Sequence, residues 1–261
     1  MKLLALILAY IISHLITKPQ RFRQFGWFQS WSKWFFSKFN WSVSELSLVV
    51  VIAAPVIVIS TLLMAIFDST MGNLLIAIIV LSYCIGPESL EEDVEDGDIR
   101  RKVGIRKNAK VSILIKKMTQ VSLKRWFGVF FWYIVLGIVG ALVYRLSERL
   151  DFYMKDDDET KPTVEKLMKI LNYPVAWMMV ISLAIASDFE RIFKKCKAYM
   201  NIENIRSMDA TFLYEAADFA VENCEVESEN ETSIELVTIS VLKRMLLVWL
   251  VFVSILVILA V

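Results

Sequence analysis

Tyr144 and Arg145 are the residues of this sequence whose types and position are best suited to forming a polar site. They end an apolar stretch that begins after Arg125, and nineteen uncharged residues separate the two arginines. A guanidinium at the end of an apolar helix needs a partner or water, so Asp188, which follows another apolar stretch, is a natural partner. The alternative is that Arg145 reaches the lipid headgroups and Asp188 caps the helix that starts at Phe189.

The sequence carries none of the usual catalytic or nucleotide-binding motifs. It has no GxxxxGK[ST], HExxH, GxSxG or GxGxxG pattern, and its single histidine, His14, lies in an apolar run. Cys84, Cys196 and Cys224 form no CxxC pair and have no neighbouring histidine, which argues against a zinc site or a redox pair. We therefore predict no metal and no cofactor, and we assign no catalytic residue.

Composition places this chain among integral membrane proteins. Hydrophobic residues make up 57% of the 261 residues and the mean hydropathy is +0.55. A soluble domain has about 45–50% apolar residues. The net charge of +1 carries no information about partners, but the charges are strongly clustered between apolar runs.

The apolar runs predict an all-α, polytopic membrane protein with four to six transmembrane helices plus an interfacial amphipathic helix. Runs that reach or approach the length of a bilayer crossing are expected to be membrane helices. Four are predicted at about 46–67, 73–86, 126–145 and 244–261, and two shorter ones, at least half embedded, at 3–16 and 173–187. The polar turn at 68–73 predicts that the helices before and after it form a tight helical hairpin.

Small residues near the middle of the 126–145 run indicate close helix packing. Gly137 and Ala141 form a small-xxx-small pair with Gly140 beside it. Such residues let membrane helices approach each other, because no hydrophobic drive exists between helices in lipid.

A basic and aromatic stretch at 20–41 predicts the interfacial helix. Its aromatic residues recur at helical spacing between lysines and arginines, which is typical of a helix that lies on an anionic leaflet. The residues expected at the membrane interface are Trp27, Trp31, Trp34, Phe35 and Phe39. A nucleic-acid surface is the alternative for such a pattern, and the apolar runs on both sides argue against it.

The charge distribution predicts one membrane domain over 1–261 with three charged segments on the cytoplasmic side. These are the interfacial segment 17–45, the charged segment 87–125 and the soluble helical segment 187–243. The loop at 146–172, and with it Arg145, then falls on the opposite side. That placement separates Arg145 from Asp188 unless residues 126–145 fail to cross fully.

Four stretches follow one another along the chain: RFRQFGWFQSWSKWF, SYCIGPESLEEDVEDG, RWFGVFFWYIVLGIVGALVYRL and LNYPVAWMMVISLAIASDFERIFKK. Together they resemble the AmpE family of inner-membrane regulatory signalling modulators associated with β-lactamase induction. The most specific part is the GAxxYR segment at 140–145. The family belongs to a wider group with the CobD/CbiB cobalamin-biosynthesis membrane proteins.

The resemblance implies which polar residues are candidates for contact with a ligand or a partner. They are Tyr144, Arg145, Asp151, Asn172 and Asp188. The chain has Ile138, Ala176 and Ser187 at positions where the family pattern has a proline, an arginine and a glycine, respectively. Glu148 and Arg149 stand where the cobalamin enzymes have Asn-Thr, which favours the AmpE family over the cobalamin-biosynthesis enzymes.

The resemblance implies a membrane regulator or sensor linked to peptidoglycan recycling, without catalysis of its own, in the bacterial inner membrane. Its implied partner is an AmpD-like muropeptide amidase, besides the bilayer with its anionic lipids. No nucleic-acid partner is expected, and a homo-oligomer stays open. Two alternatives remain: an adenosylcobinamide-phosphate synthase that ligates an amine to a corrinoid, and a membrane scaffold or small-molecule transporter.

Overall fold

The structure, a computed structural model, describes residues 2–15, 25–39, 45–66, 69–85, 90, 94, 97, 99–106, 109–154, 160–187, 189–199, 207–223 and 231–259. Helices account for all the regular structure in these ranges, which confirms the all-α prediction. They are α1 (Lys2–Leu15), α2 (Gly26–Phe39), α3 (Glu45–Ile66), α4 (Thr70–Cys84), α5 (Ile99–Lys102), α6 (Val111–Ser122), α7 (Gly128–Leu136), α8 (Ile138–Tyr153), α9 (Lys161–Ala186), α10 (Phe189–Tyr199), α11 (Thr211–Asn223) and α12 (Glu231–Leu259).

Three of these helices are long and apolar enough to cross a bilayer, so the chain is an all-α membrane protein. The apolar parts are Glu45–Leu63 in α3, Lys161–Ala186 as the whole of α9, and Ile234–Ile255 in α12. Two shorter apolar helices, Lys2–Ser13 and Met71–Cys84, correspond to predicted runs. The last two long helices begin earlier than predicted, at residues 161 and 231 instead of 173 and 244.

The chain forms two compact units. One comprises Met1–Pro87 and Gly128–Leu171, and the other Glu88–Phe127 and Asn172–Val261. The charged segment predicted at 87–125 thus nearly coincides with the first part of the second unit.

The prediction of one continuous helix over 126–145 is wrong. A π-helical turn, Leu123–Phe127, leads into α7, and the helix stops at Gly137, where φ is +69° and ψ is −151°. That backbone conformation is essentially reserved for glycine, because a side chain would clash with its own peptide groups. The helix starts again as α8, so Gly137 divides the predicted membrane helix.

Gly137 reverses the chain. A β-carbon on Gly128 would lie 2.1 Å from the Tyr144 ring, and one on Gly140 would lie 2.1 Å from the Trp132 carbonyl oxygen. These two pairs are arranged symmetrically about the turn, so α7 and α8 are antiparallel and in close contact. With nine residues, α7 is about 14 Å long, which is too short to cross a 30 Å hydrocarbon layer. Arg145 therefore lies at the same end of this hairpin as Gly128.

The prediction of a tight hairpin between α3 and α4 is also wrong. In the first unit, α4 packs mainly against α1, and α3 packs against α8. On the packed side, α1 buries Ala5, Leu6 and Ala9. Two of these three side chains are methyl groups, which permit the close approach that membrane helices need.

Tryptophans satisfy the backbone near both prolines inside long helices. Pro55 has no N–H, so the carbonyl of Val51, four residues earlier, has no donor within α3. The indole Nε1 of Trp31 donates to that oxygen at 3.0 Å. In α9, Trp132 Nε1 donates at 3.1 Å to the carbonyl of Leu171, three residues before Pro174. The Trp31 bond supplies the donor that Pro55 lacks, whereas the carbonyl freed by Pro174 is that of Ile170, next to the carbonyl that Trp132 binds.

Four helices and one ion pair organise the second unit. Helices α6, α10 and α12 each pack against α11, and α12 also packs against α6. Arg100 Nε lies 3.3 Å from Glu235 Oε1 with both side chains at least nine-tenths buried, and its Nη1 donates to the Ala109 carbonyl. The pair joins α5 to the start of α12, and the bond to Ala109 ties the segment after α5 to the same guanidinium.

Candidate functional site

The base of the α7–α8 hairpin holds the buried guanidinium that the sequence singled out. Arg145 is only 2% exposed. Its Nε donates to the carbonyl oxygen of Cys84, the last residue of α4, and its Nη1 donates to Glu148 Oε2 at 3.0 Å. A helix end carries partial negative charge on its last carbonyls, so a cation there is stabilised. Arg145 thus joins α8 to the end of α4 and does not extend outward to headgroups.

Glu148 is shared between two arginines. Arg149 Nε lies 3.3 Å from the same Oε2 atom that accepts from Arg145. The Arg149 guanidinium also lies over the Phe25 ring, 5.5 Å from its centroid. We call Arg145, Glu148 and Arg149 the arginine cluster.

Aromatic residues from α2 and α4 cover the cluster. The rings of Phe25 and Tyr83 lie 4.6 Å apart, and Trp27 Nε1 donates to the Tyr83 hydroxyl at 3.1 Å. The Tyr153 hydroxyl, at the end of α8, donates to the Phe25 carbonyl at 3.1 Å. The start of the interfacial helix is therefore attached to the hairpin base by both ring contacts and hydrogen bonds.

Burial limits what the cluster can do chemically. Tyr144 is fully buried against Gly128, and Arg145 is nearly so, so neither can touch a solute in this conformation. The Arg149 side chain is 17% exposed and is the more accessible of the two guanidiniums. The geometry makes Arg145 a residue that positions helices, and a buried guanidinium with such partners is costly to remove.

The structure does not unite all the candidate residues. Asp151 is half-buried on α8, one turn beyond the cluster, and Asn172 is half-buried on α9 in the second unit. Asp188 lies outside the described residues, so its pairing with Arg145 stays a prediction.

The glycines of the GAxxYR region have two different roles. Gly137 has nothing within 4 Å of the position of a β-carbon, so it serves the turn and not a helix contact. Gly140 and Ala141 are buried on α8, and Gly140 lies directly against the backbone of α7.

The aromatic residues of α2 divide into two groups. Trp27, Trp34 and Phe39 are exposed, as residues at a membrane interface would be. Phe35 is buried, and Trp31 is engaged with the Val51 carbonyl. Trp31 thus links α2 to α3, whereas Trp27, Trp34 and Phe39 form an exposed aromatic surface.

Glu148 and Arg149 were not predicted to belong to the site, because the sequence marked both only as departures from a motif. The signal that could have identified them is the spacing of Arg145, Glu148 and Arg149, which places all three within about one helical turn. The Cys84 carbonyl could not be predicted, because a backbone acceptor leaves no trace in residue types. Within the described ranges, no three His, Cys, Asp or Glu side chains converge to hold a metal ion.

Comparisons with known proteins identify no relative of the chain. No family model, no curated protein and no solved structure matches it.

Proposed function

We propose that this protein is an AmpE-like regulatory or sensor protein of the bacterial inner membrane, with several crossings and without catalysis of its own. The observation that supports the proposal is the surroundings of the GAxxYR segment, 140–145. Gly140 leaves room for the α7 backbone, Tyr144 fills the space over Gly128, and Arg145 binds the end of α4. Each of these three residue types therefore has a geometric role in the hairpin, which is the part of the chain where the resemblance is most specific.

The same contacts suggest how a signal would travel. The tip of the hairpin exposes Val135 and Leu136, and its base is attached through Arg145 to α4. The Phe25 carbonyl, bonded to Tyr153, lies at the start of the aromatic and basic helix α2. In this proposal a change at the hairpin reaches α2 through these contacts, and an AmpD-like amidase or a second copy of the chain responds there.

The test uses a bacterial strain whose β-lactamase is induced through recycled muropeptides. The gene for this chain is expressed in a strain that lacks its AmpE-type protein, and β-lactamase activity is measured with and without inducing β-lactam. We expect the chain to change the induction ratio, and we expect Gly140→Ala to lose that effect while Gly26→Ala keeps it. Immunoblots of membrane fractions establish that the variants are equally abundant.

Two results would redirect the assignment. An unchanged induction ratio with normal membrane levels would contradict the regulatory proposal. Restoration of corrinoid-dependent growth in a strain without its cobinamide-phosphate synthase would instead support the amide-ligating enzyme.

A further inference from the structure

The second unit contains a partly open cavity of about 160 Å³ between α9, α11 and α12. Its interior is apolar and buried, whereas two polar residues at its mouth are exposed. The lining residues are Leu183, Ala186, Ser187, Ala220, Val241 and Arg244. The cavity therefore combines a hydrophobic interior with a single cationic group at its opening.

The mouth of this cavity is next to a surface suited to lipid headgroups. Ser187 directly follows the end of α9, a helix long enough to cross a bilayer. The next helix, α10, exposes the stacked rings of Phe189 and Phe193, 5.8 Å apart, while Ile192 is buried.

The rest of α10 has the charge that a membrane surface attracts. Arg191, Lys194 and Lys197 are exposed on it. A helix that presents aromatic and cationic side chains together is favoured at the boundary between acyl chains and anionic headgroups. Ser187 and Arg244 line the same opening, so with α9 crossing the bilayer the opening lies at headgroup depth, and the part of α12 that enters the bilayer is the part after Arg244.

We infer that this cavity binds part of one acyl chain of an anionic phospholipid, whose phosphate pairs with Arg244. Leu183, Ala220 and Val241 offer an acyl chain a buried apolar surface. A guanidinium matches the geometry of phosphate oxygens. The C-terminal end of α9 carries partial negative charge and does not attract an anion, so the attraction depends on Arg244.

The volume sets how much of the lipid enters. A cavity of ~150 Å³ is known to accommodate one benzene-sized molecule. The cavity beside Arg244 therefore takes a segment of about six carbons, and the rest of the chain continues along the bilayer. The apolar lining excludes a polar soluble ligand, which would leave its hydrogen bonds unmade.

The experiment measures lipid retained by the full-length protein in detergent, by native mass spectrometry. The probes are phosphatidylglycerol and phosphatidylcholine with identical acyl chains, offered at equal concentration. We expect one tightly held phosphatidylglycerol, preferred about fivefold over phosphatidylcholine. Arg244→Gln should remove this preference, whereas Arg101→Gln, which removes an exposed arginine elsewhere in the same unit, should keep it.

A second variant tests the apolar part of the site. Ala186→Leu fills the cavity and should reduce the binding of both lipids, whereas Ile185→Leu, at an exposed position of the same helix, should not. Thermal unfolding of each variant establishes that it is folded, and the cavity-filling pair still tests the site if Arg244→Gln does not fold.

Three results would overturn the inference. The first is retention of phosphatidylglycerol by Arg244→Gln and Ala186→Leu at the level of the unchanged protein. The second is displacement of the lipid by millimolar glycerol phosphate, which would indicate a site for a soluble phosphate. The third is preferential retention of oleate over phosphatidylglycerol, which would assign the cavity to a free fatty acid.

Discussion

Arg145 and Arg244 both lie beside apolar helical stretches, yet their surroundings differ. Arg145 donates to the Cys84 carbonyl and pairs with Glu148, and it is buried at the base of the hairpin. Arg244 is exposed and lines the mouth of an apolar cavity. In the first unit the guanidinium holds protein groups together, whereas in the second unit it faces space that a ligand can enter.

The difference shows that position next to an apolar run does not by itself define the role of an arginine. The cost of desolvating a guanidinium must be offset by partners, so a buried arginine is tied to the fold. An exposed arginine remains largely hydrated, so its desolvation cost is small and its charge is available to an anion.

The largest expected effect is the loss of stability on removing Arg145. Arg145→Ala leaves Glu148 and the end of α4 without their shared cation, and we expect a loss of about 3–5 kcal/mol. Arg244→Ala should change stability by no more than about 0.5 kcal/mol, since that residue is exposed. Thermal unfolding of both variants in the same detergent measures the difference. Equal midpoints would show that the two arginines do not differ as the structure indicates.

A second, smaller effect is the loss of stability when a side chain is enlarged, which should differ between the hairpin of the first unit and the cavity of the second. Gly140→Ala places a methyl group 2.1 Å from the Trp132 carbonyl oxygen, so the two helices must separate, at about 1–3 kcal/mol. Ala186→Leu adds three carbons beside a cavity and should cost less than about 0.5 kcal/mol. Gly26→Ala is the control, because nothing lies within 4 Å of its β-carbon position. If Gly140→Ala unfolds at the midpoint of the control, α7 and α8 are not in close contact.

Apolar runs were enough to predict the all-α membrane fold and the approximate places of most helices. They did not predict the reversal at Gly137, because a glycine in an apolar run of bilayer length also suits a packing surface. Only the backbone conformation, with φ of +69°, distinguishes the two roles.

Which helices pack against each other was harder to predict from the sequence than where the helices lie along the chain. The short turn after α3 suggested that α4 packs against it, yet α4 packs mainly against α1. Helices that follow each other in sequence need not pack against each other in a bundle. The complementarity of their buried faces determines which helices pack together. The importance of Arg145 was predictable from its place at the end of an apolar run, whereas its backbone partner Cys84 was not.

The smallest expected effect is a response of the second unit to high pH, at the thiol of Cys196 on α10. Burial raises the pKa of the Cys196 thiol on α10 to about 11, from an ordinary value of 9.0. The folded state keeps this proton where the unfolded chain loses it, so the stabilisation is complete below pH 9 and is lost as the pH rises to about 11. Hydrogen exchange, corrected for its intrinsic pH dependence, should show α10 and α11 losing protection as the pH rises from 9 to about 11, and Cys196→Ala should reduce that loss. An unchanged profile in Cys196→Ala would contradict the assignment of this alkaline weakness to the Cys196 thiol.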